Sequence, residues 1–193
     1  MPFAPLPVSA AWQHCAARTG FEVVFVLSGN DGLRLQGCTT ALQDDESWIV
    51  AYTIELDAGW NTRRADVTSQ SAAGSWQRRL ESDGAGRWLV DGAPAPELDG
   101  CFDVDLESSA MTNALPVHRA NMGVGVPTPA PAAYVRAPGL AVGRLEQVYV
   151  CASDAAGKHR YDYAAPAFDF RTLLVYDRSG LVLDYPGIAV RSG

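Results

Sequence analysis

No stretch of this sequence approaches about 18 unbroken apolar residues, so nothing in it reads as a membrane-spanning helix. Basic runs are missing as well. The 15 Lys plus Arg face 22 Asp plus Glu, a net charge of −7, which repels a phosphate backbone and speaks against nucleic acid as a partner. The first residues, MPFAPLPVSAA, have no basic n-region, and Pro2, Pro5 and Pro7 interrupt any apolar h-region, so no signal peptide is read there. The four cysteines (Cys15, Cys38, Cys101, Cys151) are far apart and form no CxxC pair, which predicts reduced thiols in a cytoplasmic protein. Of three histidines, His14 and His159 have no partner at metal-ligand spacing, and no metal or cofactor is expected. There is no G-x-S-x-G, P-loop or Rossmann fingerprint.

What is present is apolar and strand-like. Hydrophobic residues make up 48% of the 193, enough for one domain with its own core and too many for disorder. Eighteen Gly and twelve Pro are spread along the chain, as many short strands require. The dominant period is two. Trp48, Val50, Tyr52, Ile54 and Leu56 share one face, opposite Ile49, Ala51, Thr53 and Glu55. Phe21–Leu27 is an apolar run closed by a turn at Ser28-Gly-Asn-Asp-Gly32. About a dozen strands follow from this pattern, Val117–Val126 among them. Only Ala10–Arg18 offers a short helix. The expected fold is all-β: antiparallel hairpins in a roll or open barrel.

An internal repeat organises the chain. Tyr52, Arg64-Ala-Asp-Val67, Trp76–Asp83 and Gly86–Gly92 recur in order as Tyr149, Arg160-Tyr-Asp-Tyr163, Phe170–Asp177 and Gly180–Gly187. The reading is a single domain, 1–193, of two similar β halves, about 20–127 and 128–193, meeting near Thr128–Pro131 and enclosing one shared space.

The densest polar stretch is Gly100–Arg119. On a strand over Cys101–Leu106, Asp103 and Asp105 face one side and Phe102, Val104 and Leu106 the other. Two neighbouring carboxylates repel unless compensated, so they are expected to meet a guanidinium of Arg63, Arg64 or Arg119. Such a cluster is either a structural network or a ligand-contacting wall; a metal site lacks enough further oxygen ligands. Thr112 and Asn113 cap a turn or bond ligand hydroxyls. Trp60 sits in a turn beside two arginines, an apolar face next to cationic donors. Cys101 with His118 and Asn113 imitates a nucleophile, base and orienter, but a strand cysteine is ordinarily a small buried hydrophobe.

Trp60-x-Thr-Arg63, Gly86-x-Trp-x-Val-Asp-Gly92, Gly100-Cys-x-Asp-Val-Asp-Leu106, Thr112-Asn-x-Leu-Pro116 and Tyr185-Pro-Gly187 together resemble the putative glycolipid-binding family of bacterial proteins. The resemblance runs from about Glu22 to Arg191. It implies a pseudo-twofold spiral β-roll similar in outline to lipoprotein carriers, and no established enzymatic activity. Ser109-Ala110 and His118 depart from that family's usual Thr-Pro and Arg. The expectation is therefore non-catalytic binding of an amphipathic small molecule, a glycolipid by the resemblance, with apolar tails between the sheets. The polar contacts are expected at Trp60, Arg63, Asp103, Asp105, Thr112, Asn113 and Arg119. Two rivals stay open: an enzyme using Asp103 or Asp105 as acid or base, and a ligand-free scaffold. Nothing in the sequence sets the oligomeric state.

Overall fold

The computed structural model describes residues 3–16, 18–28, 32–155 and 158–192. Eight strands open the chain: β1 (Ser9–His14), β2 (Thr19–Ser28), β3 (Gly32–Gln43), β4 (Glu46–Asp57), β5 (Thr62–Ser71), β6 (Gly74–Ser82), β7 (Trp88–Val90) and β8 (Ala93–Pro94). β9 (Asp103–Leu106) precedes the helix α1 (Ala114–Arg119). Then come β10 (Pro127–Pro129), β11 (Ala132–Val135), β12 (Val142–Leu145), β13 (Val148–Ala155), β14 (Lys158–Ala165), β15 (Phe170–Tyr176), β16 (Val182–Tyr185) and β17 (Ala189–Ser192). The fold is all-β with one short helix. Fourteen strands form one antiparallel sheet, ordered β10-β13-β14-β15-β16-β17-β1-β2-β3-β4-β5-β6-β7-β8. The sheet is open, with proline in both end strands, β10 and β8. A second sheet, β12-β11-β9, contains the parallel pair β9·β11, which the antiparallel expectation did not include.

Two local expectations are overturned. The helix expected to begin at Ala10 is absent up to His14: Ser9–His14 is strand β1, because Ala10, Trp12 and His14 point inward at period two and both neighbours β2 and β17 pair with it. Val117–Val126 is not a strand. Its first residues end α1, where Pro116 lies within the first turn and forfeits no helical hydrogen bond. The turn expected at Ser28–Gly32 crosses residues 29–31, outside the described residues.

Along β2 the apolar run is turned outward. Phe21, Val23, Phe25 and Leu27 are exposed, while Glu22 and Val24 face the core. In β4 the face read from the sequence, Trp48 to Leu56, is the buried one.

Residues 95–119 fill the space the great sheet bends around, as sheets this wide do. Leu98, Val104, Leu106, Met111 and Leu115 share a core with Trp12, Leu35, Ile54 and Leu80. Hydrogen bonds fix this plug to the sheet: Thr62 N–H to the Phe102 carbonyl at 2.9 Å, Trp88 Nε1 to the Cys101 carbonyl at 2.9 Å, and Thr39 Oγ1 to the Ser108 carbonyl at 2.8 Å. A second core gathers Tyr149, Tyr161, Tyr163, Leu174 and Tyr176 around Val117.

Part of the ladder β4·β5·β6 has the same register as part of β13·β14·β15. Tyr52 faces Val67 and Val67 faces Arg78; Tyr149 faces Tyr163 and Tyr163 faces Thr172. Their turns also match. Asp83 Oδ1 accepts the N–H groups of Ala85 and Arg87, and Asp177 Oδ1 those of Ser179 and Leu181. Asp57 Oδ1 does the same for Gly59 and Asn61. At the fourth residue of each turn the backbone is left-handed: φ is 93° at Gly86, 75° at Gly180 and 66° at Trp60. Only Trp60 carries a side chain there, a conformation L-residues adopt at a cost.

His14 is buried with no well-formed hydrogen bond on either ring nitrogen, and a weak contact with the Ile188 backbone only partly favours its charged form. Burial first, and then Arg18, lower its pKa from 6.5 to about 4. The unfolded chain therefore binds the proton more tightly. The contribution of His14 is complete above about pH 6.5 and is lost as pH falls towards 4. Urea titrations at pH 7 and pH 4.5 are expected to show wild type losing about 2–3 kcal/mol more than His14→Leu. Equal losses would contradict the assignment.

Candidate functional site

Where the plug ends, a cavity of about 270 Å³ opens between it and the second run of strands. One wall is aromatic: Phe170 lies 6.1 Å from Tyr185 and 6.2 Å from Tyr163, with Tyr134 and Phe168 5.7 Å apart beside them. The other wall is polar, formed by Arg18, Gln43, Asp105, Glu107, Ser109 and Asn113. β9 and the turn after it supply the acids and the amide; β14, β15 and β16 supply most of the rings.

Each acid on β9 has its own partner. Asp103 is held by Arg119 in a two-pronged ion pair, Nε to Oδ1 at 2.9 Å and Nη2 to Oδ2 at 2.7 Å. Burial raises the Asp103 pKa against the pull of that guanidinium. Asp105 meets no guanidinium: Thr112 Oγ1 donates to its Oδ1 at 2.8 Å, and Gln147 Nε2 donates to Oδ2. Burial pushes its pKa up to about 6, with both donors opposing the shift. The expected meeting with arginine thus holds for Asp103 and fails for Asp105. Its reason is short reach: Thr112 and Gln147 already occupy both Asp105 oxygens, while Arg64 is drawn to Asp66 at 2.6 Å and Arg63 to Asp57 at 3.8 Å.

Of the residues singled out in the sequence, Asp105 and Asn113 line the cavity. Thr112 stands behind Asp105. Asn113 accepts from Tyr149 Oη at 3.1 Å, and its backbone carbonyl accepts from Tyr176 Oη at 3.1 Å. Asp103 and Arg119 form their ion pair away from the lining. Arg63 is half-exposed on the first half of the sheet. Trp60 stacks on His118, ring centroids 3.7 Å apart and planes within 7°, so one ring face is already covered. The cavity and these last four residues do not coincide.

Sequence reasoning missed Glu22. It is fully buried, accepting from Tyr52 Oη at 2.6 Å, from Ser109 Oγ, and from the Ala110 N–H at 2.7 Å. Burial raises its pKa; the Ser109 and Tyr52 hydrogen bonds oppose the rise. A signal was available: Glu22 is the one acid inside the apolar run Phe21–Leu27, at a period-two position shared with Val24. Arg18 was missed too, at the end of what read as a helix. Among the described residues, no group of three or more His, Cys, Asp or Glu is placed to hold a metal ion, and no helix is long and apolar enough to cross a membrane.

The family model described as putative glycolipid-binding matches residues 9–191. The crystal structure of a DUF1089 family protein from Pseudomonas aeruginosa is similar, with a TM-score of 0.75 and 29% identity over 89% of this chain and 92% of that one. A beta-barrel-like protein of domain of unknown function DUF1849 from Brucella abortus has a TM-score of 0.54 at 11% identity, covering 98% of this chain and 95% of its own, a likeness of fold alone. No curated protein matches.

Proposed function

The chain belongs to the putative glycolipid-binding family, and we propose that it binds the headgroup of an amphipathic molecule in the cavity beside Asp105, without catalysis. One observation carries this reading: aromatic faces and hydrogen-bonding side chains converge on a single concave space, the combination that sugar rings require. Ring faces of Tyr163, Phe170 and Tyr185 pack on sugar C–H groups, while Asp105, Asn113 and Arg18 bond hydroxyls. Thr112 holds Asp105 in place, and Asp103, Arg119, Trp60 and Arg63 brace the far end of the plug. The tails do not lie between the sheets, because residues 98–115 fill that space. At 270 Å³ the cavity sits near the lower bound of about 300 Å³ for ligand pockets, enough for a ring and a short stub. The tail leaves past Phe168, which is 46% exposed. The same reading treats β4–β7 and β13–β16 as copies of one unit and keeps the cytoplasmic assignment.

Calorimetric titration with octyl glucoside below its micelle concentration tests this. Wild type is expected to bind, and Phe170→Ala to bind about tenfold more weakly, the upper end for one aromatic contact. No heat with wild type, or unchanged affinity in the variant, would refute it. A second reading, hydrolysis of a glycoside, is favoured by the Asp105 pKa of about 6 at a cavity wall, where a general acid belongs. Release of nitrophenol from nitrophenyl glycosides by wild type but not by Asp105→Asn would select it.

A further inference from the structure

Arg18 is an unusual cation. Only 8% of it is exposed, and it lines the cavity. Its Nη2 donates to the Glu107 backbone carbonyl at 2.7 Å, and its guanidinium lies 5.4 Å from the Trp48 ring centre. Nε makes no hydrogen bond, and among the described residues no carboxylate bonds the guanidinium; Glu107 and Glu22 act on its charge only from a distance. Arg119, the other strongly shielded guanidinium of this region, has Asp103 gripping two of its nitrogens. A buried charge with no bonded counter-charge is costly, and a ligand can supply the missing partner.

We infer that the ligand carries an oxyanion, a carboxylate or a phosphate, and that Arg18 is its counter-charge in this cavity. The inference rests on the headgroup reading above. Two acids share the lining: Asp105, which would repel an anion at its own end, and Glu107, whose carboxylate already acts on the Arg18 charge. Asp105 is engaged by Thr112 and Gln147, and Glu107 Oε2 accepts the Ala137 N–H at 3.0 Å. Charge therefore sorts the ligand: the oxyanion lies towards Arg18, and hydroxyls, which donate, lie towards Asp105. An acidic sugar, a uronate or a sugar phosphate, has both features on one ring. A neutral hydroxyl would give Arg18 a single weak acceptor, whereas an oxyanion gives two charge-assisted bonds. Burial lowers the Arg18 pKa, but a guanidinium starts so high that it stays charged at neutral pH.

The experiment compares octyl glucoside, octyl glucuronide and octyl phosphate on wild type, Arg18→Lys and Arg18→Gln, each variant first checked for fold by circular dichroism. Wild type is expected to hold the glucuronide or the phosphate about tenfold more tightly than the glucoside, with the gap shrinking at high salt. Whichever anion shows the gap identifies the source. Arg18→Gln should erase the gap, costing the anion about ten times more affinity than it costs the glucoside, and Arg18→Lys should keep part of it. If Arg18→Gln fails to fold, Arg18→Lys and the salt series decide. Glucoside binding with no anion preference, or a preference that survives in Arg18→Gln, overturns this inference and leaves the headgroup reading standing. Binding of none of the three overturns both.

Discussion

Replacing Glu22 with alanine is expected to lower unfolding free energy by about 3–5 kcal/mol, the range for truncating a buried, hydrogen-bonded side chain. Glu22 is where the sheet and the plug are bonded through one carboxyl group: Tyr52 reaches it from β4, and Ser109 and Ala110 from the plug. Without it the Tyr52 and Ser109 hydroxyls, 3.4 Å apart, can turn to each other. The Ala110 N–H has no such recourse and stays buried without an acceptor. Glu22→Gln keeps an acceptor oxygen and should lose less than half as much. Glu22 also has a pH signature. Its pKa is raised in the folded state, so its contribution is greatest at low pH and declines as pH rises from the unfolded carboxylate value to the folded one. Equilibrium denaturation in urea at pH 5 and pH 7 measures all three quantities. An alanine variant as stable as wild type would mean that this junction does not join sheet to plug.

Arg119→Ala should be nearly as damaging at pH 7, losing roughly 3–4 kcal/mol, because it strands the Asp103 carboxylate in a site where 3% of that side chain is exposed. Burial already raises the Asp103 pKa, and removing the guanidinium raises it further. The stranded carboxylate can then take a proton, so the variant's deficit should shrink as pH drops from 7 to 5. Asp103→Asn leaves Arg119 beside a neutral amide at the edge of solvent and should be milder, about 1–3 kcal/mol. A ligand-contacting role predicts the opposite pattern: thermal stability hardly altered in both variants, and octyl glucoside affinity lost. Melting curves at the two pH values together with one titration separate the two outcomes.

How much of this was written legibly in the chain depends on the physics of each position. The inward face of β4 could be read from Trp48 to Leu56 because alternation on a half-buried strand has only one register that hides it. β2 obeyed the same rule with its apolar side turned out, and no local pattern distinguishes those cases. Phe21 and Phe25 look like core until the long-range partners of Glu22 are known. Ala10–Arg18 deceived for a related reason: six residues of strand hold only three inward side chains, too few to separate period two from a helical turn. Of the cavity lining, Asp105 and Asn113 could be singled out in the sequence because acids and amides crowded on one segment need partners. The aromatic wall of Tyr163, Phe170 and Tyr185 could not be told from core in the sequence, because aromatic residues on strands serve cores equally well. Arg18 stands more than eighty residues from Asp105, and only the folded chain makes them neighbours.

The prolines at the two ends of the great sheet have a consequence for solubility. A strand at the margin of an open sheet normally presents a ladder of idle amide donors, an invitation to pair with the next molecule and grow a fibre. β8 is two residues long and ends in Pro94; β10 has Pro127 and Pro129 on either side of Thr128. Proline has no amide hydrogen, so neither margin offers an unbroken ladder. Barrels achieve the same protection by joining their first and last strands. This sheet can stay open without templating its own aggregation, because both of its margins are chemically blunt.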